Sequence, residues 1–298
     1  MRLRGAAGFA ALVLCVGIGT AGADPEVESV EQSGPIRGWH RVEAGTVSAA
    51  IGNEGIGTVR TAAGSEVYYR GGGGIPQALK DEGWGHVGDT DSVRGYVFDA
   101  YQWTKTAPAT TKMFLATTPA WVSYEYVVPL GADEAPVNSN AYVTVSPDGQ
   151  WMVAGPLGQV TELFVYPTPI LNRATPPTGG ALAPAARIKL DRPVRNLQGC
   201  NFVSAGQLLC GSSDPNNDLF PTNFQLLRID LPHALRGKDV TARVRSLGQV
   251  PLVSTCAGAF VTEGVDYDPH SGLLRIEVNP PSPCSVDTAV YAFRAGRG

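Results

Sequence analysis

The chain has 298 residues, with 23 Lys and Arg against 27 Asp and Glu and a formal net charge of −4. No basic stripe appears, which argues against a nucleic-acid partner. With 36 Gly and 23 Pro, the composition favours many short elements joined by turns over long helices.

The N-terminus reads as an export signal. "MRLR" is a basic start, "GAAGFAALVLCVGIG" an apolar centre and "TAGA" a small-residue end, which predicts a signal peptide over residues 1–23 with cleavage near Ala23. The apolar run is too short and too rich in Gly and Ala for a membrane span. Leu14 stands where lipid attachment at Cys15 would want a small residue. Nothing later is long and apolar enough to cross a bilayer, so the expectation is a secreted, monomeric protein without a membrane span. Residues 24–35 are expected to be a flexible segment and residues 36–298 one folded domain.

Helical periodicity is scarce. "IPQALKDEG" (Ile75–Gly83) and "LPHALRG" (Leu231–Gly237) predict single turns at most. Strand signals dominate, among them "RGYVFDAYQW", "AWVSYEYVV", "ELFVYP", "FQLLRIDL" and "AVYAFR", each bounded by Gly, Pro, Asn or Asp. The strands also repeat. "YVTVSPDGQWMVAG", "CNFVSAGQLLCG" and "GVDYDPHSGLLRIEV" are strand–turn–strand units, and "HVGDTDSVRGYVFDA" is a looser one. Their turn glycines Gly95, Gly149, Gly206 and Gly272 recur at steps of 54, 57 and 66 residues. A further strand follows each hairpin. That grammar predicts an all-β fold, a single β-propeller of five blades, or six if the N-terminal part is compact, each blade a four-stranded antiparallel sheet. "GWHRVEAG" (Gly38–Gly45) is placed beside the last blade, near "AVYAFR", because an open ring would leave strand edges exposed.

Removing Cys15 with the signal leaves Cys200, Cys210, Cys256 and Cys284. An even count in an exported chain predicts two disulfides. Cys200 and Cys210 are equidistant from Ala205 at their turn, and Cys256 and Cys284 from His270, which favours pairing Cys200–Cys210 and Cys256–Cys284.

The candidate chemistry sits where the blades begin. His86, Asp89 and Asp91 precede the first hairpin. The matching places elsewhere hold Asn138 and Asn140, then Asn196 and Gln198, then Glu263 and Asp266. Blades about an axis would gather these residues at one channel mouth. A ring of carboxylate and amide oxygens suits a polar ligand or a hard cation such as Ca²⁺, with Asp89, Asp91 and Glu263 as ligands. The bland alternative is that inner-strand ends are polar simply because they cap a solvated channel.

In order, "GHVGDTDSVRGYVFDAYQ", "AYVTVSPDGQWMVAG", "NLQGCNF" and "TEGVDYD" resemble a group of exported bacterial β-propeller proteins. In these a His-x-Gly-Asp, a Gln-Gly and a Glu-Gly segment open successive blades. The chain departs from that pattern at "FDAYQ", where such proteins tend to show a proline and an acid, which weakens any carry-over to Gln102. More distantly, the Glu-Gly opening is similar to that of calcium-dependent lactonase propellers, a resemblance that implies Glu263 as a metal ligand.

Other constellations fail. "RGGGG" (Arg70–Gly74) lacks the Gly-Lys-Ser/Thr of a phosphate loop. "DPNND" (Asp214–Asp218) has Leu219 where a calcium loop needs glycine. The four histidines are not at zinc spacing, and no Gly-x-Ser-x-Gly elbow exists. Trp84 beside His86 is a candidate for stacking on a sugar, against a default of core packing. The leading expectation is a non-catalytic protein binding a small molecule, glycan or protein at its axial mouth. Behind it stand a calcium-dependent hydrolase with His86 as base and a structural envelope component.

Overall fold

A computed structural model of the chain describes residues 30–32, 34–62, 64–105, 109–132 and 134–296. The expected signal peptide lies outside the described residues. The segment expected to be flexible includes a strand, β1 (Val30–Gln32), which pairs with the short β18 (Leu252–Ser254). β2 (Trp39–Ser48) follows, then a hairpin of β3 (Gly55–Thr61) and β4 (Gly64–Arg70). A 3-10 turn over Gly72–Gly74 and the six-residue helix α1 (Gln77–Glu82) lead into the sheets. "LPHALRG" forms no helix, in keeping with Pro232, which biases Leu231 away from helical geometry.

Four antiparallel sheets make up most of the molecule. The first comprises β5 (Trp84–Val93), β6 (Tyr96–Trp103), β7 (Thr111–Thr117) and β8 (Ser123–Pro129). The second comprises β9 (Tyr142–Val145), β10 (Trp151–Gly155), β11 (Gln159–Pro167) and β13 (Ala186–Arg195), while the two-residue β12 (Gly180–Ala181) lies parallel to β8. The third comprises β14 (Leu197–Ser204), β15 (Gln207–Ser213), β16 (Phe224–Asp230) and β17 (Val240–Gln249). β19 (Val261–Asp268), β20 (Leu273–Asn279) and β21 (Asp287–Ala295) form the fourth, and β2 completes it by pairing along β21 from Trp39↔Ala295 to Ser48↔Asp287. β2, which contains most of "GWHRVEAG", thus closes the last sheet, as the sequence suggested.

The first strands, β3, β5, β9, β14 and β19, touch one another in a closed ring. The architecture is propeller-like. Gly95, Gly149 and Gly272 occupy the predicted turns with φ of 79°, 70° and 66°, a region that favours glycine. The β3–β4 unit stops at two strands, where the sequence predicted four.

Two joins go beyond a simple ring. β13 and β17, the outer strands of the second and third sheets, pair in parallel from Ile188↔Val240 to Leu190↔Ala242. Their inner strands β9 and β14 also pack together, so eight strands wrap into a nearly closed, barrel-like sheet. It encloses a core that includes Val153, Leu163, Ile188, Leu208, Ile229 and Val244. Burying each such side chain contributes about 1.5–3 kcal/mol. The second join tethers the β3–β4 hairpin to the first sheet. Arg70 at the end of β4 grips Asp99 of β6 through two 2.7 Å bonds, Nε to Oδ1 and Nη2 to Oδ2, and stacks 3.9 Å over the Tyr68 ring.

Both disulfides form as paired from the sequence. Cys200 and Cys210 face each other directly across β14 and β15 and are fully buried. Cys256–Cys284 ties the approach to β19 to the loop between β20 and β21. Trp84 is core: it is buried edge-on against Trp103, with ring centroids 5.4 Å apart.

Candidate functional site

The inner strands meet at the axis through glycine. β5 bulges between Val87 and Thr90, β14 between Leu197 and Gly199, and β19 between Thr262 and Val265. Each bulge carries one of the motif glycines. A Cβ on Gly88 would lie 2.1 Å from the Ala141 carbonyl of β9, and one on Gly199 would lie 2.6 Å from the Glu263 carbonyl and Val265 nitrogen of β19. On Gly264 it would lie 2.6 Å from the Ile56 nitrogen of β3, and on Gly55 it would lie 2.7 Å from Cα of Asp89. Backbone therefore presses on backbone around the ring, and only glycine permits the approach.

Asp89 fills the middle of this layer and is fully buried. Its Oδ1 accepts the amides of Ile56 (3.0 Å) and Thr90 (2.9 Å), and its Oδ2 accepts that of Val265 (3.2 Å). One side chain of β5 thereby supplies acceptors to strands on two other sheets, whose edges have no ladder partner there. Burial pushes its pKa well up, and the amides of Ile56, Val265 and Thr90 only partly oppose that.

The remaining sequence-derived residues lie on the two sides of this layer. A strand advances about 3.3 Å per residue, so His86, Asp89 and Asp91 on β5 sit at successive depths. On the far side, Asp91 accepts Ser92 and Val145 amides at 2.6 Å each and the Thr144 hydroxyl at 3.0 Å. Asp266 accepts the Thr58 amide (3.0 Å) and hydroxyl (2.7 Å) and faces Arg275 at 2.8 Å. These carboxylates bind neighbouring inner strands to one another. Burial raises both pKa values, that of Asp91 to about 7. Around them opens a cavity of about 340 Å³, walled by the ends of all five inner strands. Thr58, Asp91, Asn201 and Asp266 supply its polar wall, and Arg60 and Arg94 also line it. Asn201 is buried, yet its Nδ2 has no hydrogen-bond partner.

On the near side, His86 Nε2 lies 3.3 Å from Glu54 Oε2. Glu263 is buried there and accepts Asn279 Nδ2 at 3.0 Å. Burial, with the charges of Glu54 and Glu277, pushes its pKa well up. Glu277 of β20 is fully buried with no donor in hydrogen-bond geometry at either oxygen, although the Gly264 amide is near enough to hold its pKa back. Burial, aided by Glu54 and Asp266, still lifts it to about 8. Asn140 is buried and donates to the Met113 carbonyl at 3.1 Å. Asn138 is exposed with φ 57°. Asn196 (φ 46°) accepts the Gly158 amide at 3.0 Å, and with Gln198 it lines a different, off-axis pocket. The nine residues are thus divided among a central layer, two ends and an off-axis pocket.

No family model matches the chain, and no curated protein matches it.

The donor set at the axis bears on the calcium expectation. Three N–H groups point at Asp89 and two more at Asp91, the wrong polarity for a bound cation. Among the described residues, no three His, Cys, Asp or Glu side chains are arranged to hold a metal ion. Four residues escaped the sequence reading. Thr58 lies on β3 and Glu54 just ahead of it, in a Gly-rich stretch that gave no strand signal. Asn201 and Glu277 lie inside apolar strand patterns, and only the direction in which their strands face the axis reveals them.

Proposed function

We propose that this chain is an exported binding protein that takes a small polar ligand into the axial cavity, without catalysing a reaction on it. The observation that carries the reading is Asn201. Asn201 lines a cavity to which all five inner strands contribute, and its buried Nδ2 lacks a partner; an unmatched buried amide costs free energy that turning it to a ligand acceptor would recover. The cavity volume lies in the range of small-molecule sites. No His or Cys lines it, and the Thr58 hydroxyl in its wall is already donated to Asp266. Export is supported by the leader-like N-terminus and by the two disulfides. The resemblance to exported propellers of bacteria fits the same picture.

A thermal-shift screen of small polar metabolites tests this. At least one compound should raise the melting temperature of the wild type and fail to do so with Asn201→Ala. A screen with no Asn201-dependent stabilisation counts against the axial cavity as the site.

A second reading, a cation-dependent hydrolase, draws on His86, Glu54, Glu263 and the unpaired Glu277 at the opposite end. Elemental analysis of purified protein, with melting in EDTA and in excess calcium, separates the two. The hydrolase reading requires bound metal or a metal-dependent shift.

A further inference from the structure

An off-axis pocket of about 640 Å³ lies at the seam between the third and fourth sheets, on the side of the ring where β14 and β19 begin. Not one of its lining residues is charged. Asn196, Gln198, Asn217, Asn223 and Gln249 bring five amides to it. Phe224 and Phe260 add an aromatic corner, their rings edge-on with centroids 6.5 Å apart. The charges nearest in sequence are already consumed: Arg195 is paired with Asp214 and Asp218.

Two of the lining residues carry a buried polar atom without a hydrogen-bond partner, Ser213 Oγ and Asn223 Oδ1. Ser213 is itself more than nine-tenths buried. A ligand for this pocket must therefore offer both donors and acceptors without net charge, since each amide presents both. It must also present an apolar face to the phenyl rings. Pyranose rings combine these properties: hydroxyls around the edge that donate and accept, and a C–H face that stacks on an aromatic ring. A charged metabolite would leave its charge unpaired against this lining, at a cost in desolvation. A peptide strand would look for an open sheet edge, and the pocket is built of side chains and loop.

We infer that this seam pocket binds a neutral oligosaccharide, with Phe260 as the stacking platform and Gln198, Asn223 and Gln249 as hydroxyl partners. The inference stands apart from the axial cavity and survives if that cavity binds nothing.

Saturation-transfer difference NMR on the intact chain provides the test, with cellohexaose, xylohexaose, mannohexaose and hexa-N-acetylchitohexaose as neutral probes and oligogalacturonate as the charged one. At least one neutral probe should receive saturation. Oligogalacturonate should not. Phe260→Ala and, separately, Gln249→Ala should weaken the responding probe about tenfold, the equivalent of one lost contact of about 1.4 kcal/mol. Lys189→Ala on the exposed face of β13 should leave it unchanged. Far-UV circular dichroism shows whether each variant folds, and the Gln249 variant keeps the test decisive if the Phe260 variant does not. No transfer to any neutral probe, equal transfer to oligogalacturonate, or undiminished transfer in the folded variants overturns the inference.

Discussion

The amide of Val265 donates to Oδ2 of Asp89 over 3.2 Å, joining residues 176 positions apart at the axis of the ring. The partner oxygen of the same carboxyl holds Ile56 and Thr90. Asp89→Ala leaves three buried amides without an acceptor, and the expected loss is about 3–5 kcal/mol. Asp89→Asn keeps one carbonyl oxygen and should lose less. Urea unfolding of the two variants checks both the size and the order, and equal stability of Asp89→Ala and wild type would refute the clamp.

Gly199→Ala tests the close approach itself. The new methyl would lie 2.6 Å from the Asp89 carboxyl, the Glu263 carbonyl and the Val265 nitrogen. None of these can swing away as a flexible side-chain end would. A destabilisation of about 2–3 kcal/mol is expected from overpacking, although alanine is ordinarily the milder residue in a strand. Gly206→Ala, whose Cβ would meet nothing closer than 3.5 Å, is the control.

Glu277 should make the protein less stable as pH rises. Its folded pKa is lifted to about 8 by burial, against about 4.3 in an unfolded chain. Between those values the folded state keeps a proton that the unfolded state releases, so the unfolded state gains on the folded one with increasing pH. The contribution is complete below about pH 4.3 and is lost by about pH 8. Asp91, lifted to about 7, acts in the same direction. Denaturation midpoints at pH 5 and pH 8 should differ in wild type, and Glu277→Gln should narrow the gap. A midpoint equal at the two pH values contradicts the assignment.

The Arg70–Asp99 pair is the tether of the two-stranded unit. Asp99 is wholly buried and also accepts the Thr90 hydroxyl at 2.8 Å. Asp99→Asn should cost about 3–5 kcal/mol, because it strands a largely buried guanidinium. Arg70→Met with Asp99→Leu should recover much of that loss. A double-mutant cycle with no coupling energy would show that the tether lies elsewhere.

The fold was legible because its signals are local. Turn glycines 95, 149, 206 and 272 mark where each first strand doubles back, and the cysteine spacing about Ala205 matches the observed cross-strand register. Only half of the β3–β4 hairpin was legible: "SEVYYR" reads as the strand that becomes β4, whereas Gly52, Gly55 and Gly57 interrupt "GNEGIGTVR" and hide β3. The motif segments were noticed for their polar members, His86, Gln198 and Glu263. In the structure it is the glycine beside them that meets the neighbouring strand, through bulges that alternation cannot foretell. Depth along the axis was equally hidden: residues two to five apart on one strand read as a single position in a repeat.

Pairing β2, near the start of the chain, with β21, the last strand, has a kinetic corollary. During synthesis β2 must wait, partnerless, until β21 has emerged, almost the whole chain later. A waiting strand is an invitation to intermolecular association, and "WHRVEAGTVS" is suited to delay: most of its side chains stay solvent-facing even after docking, and His, Arg and Glu interrupt its few apolar residues. The clasp that finishes the molecule is thus written in residues that tolerate being left undone.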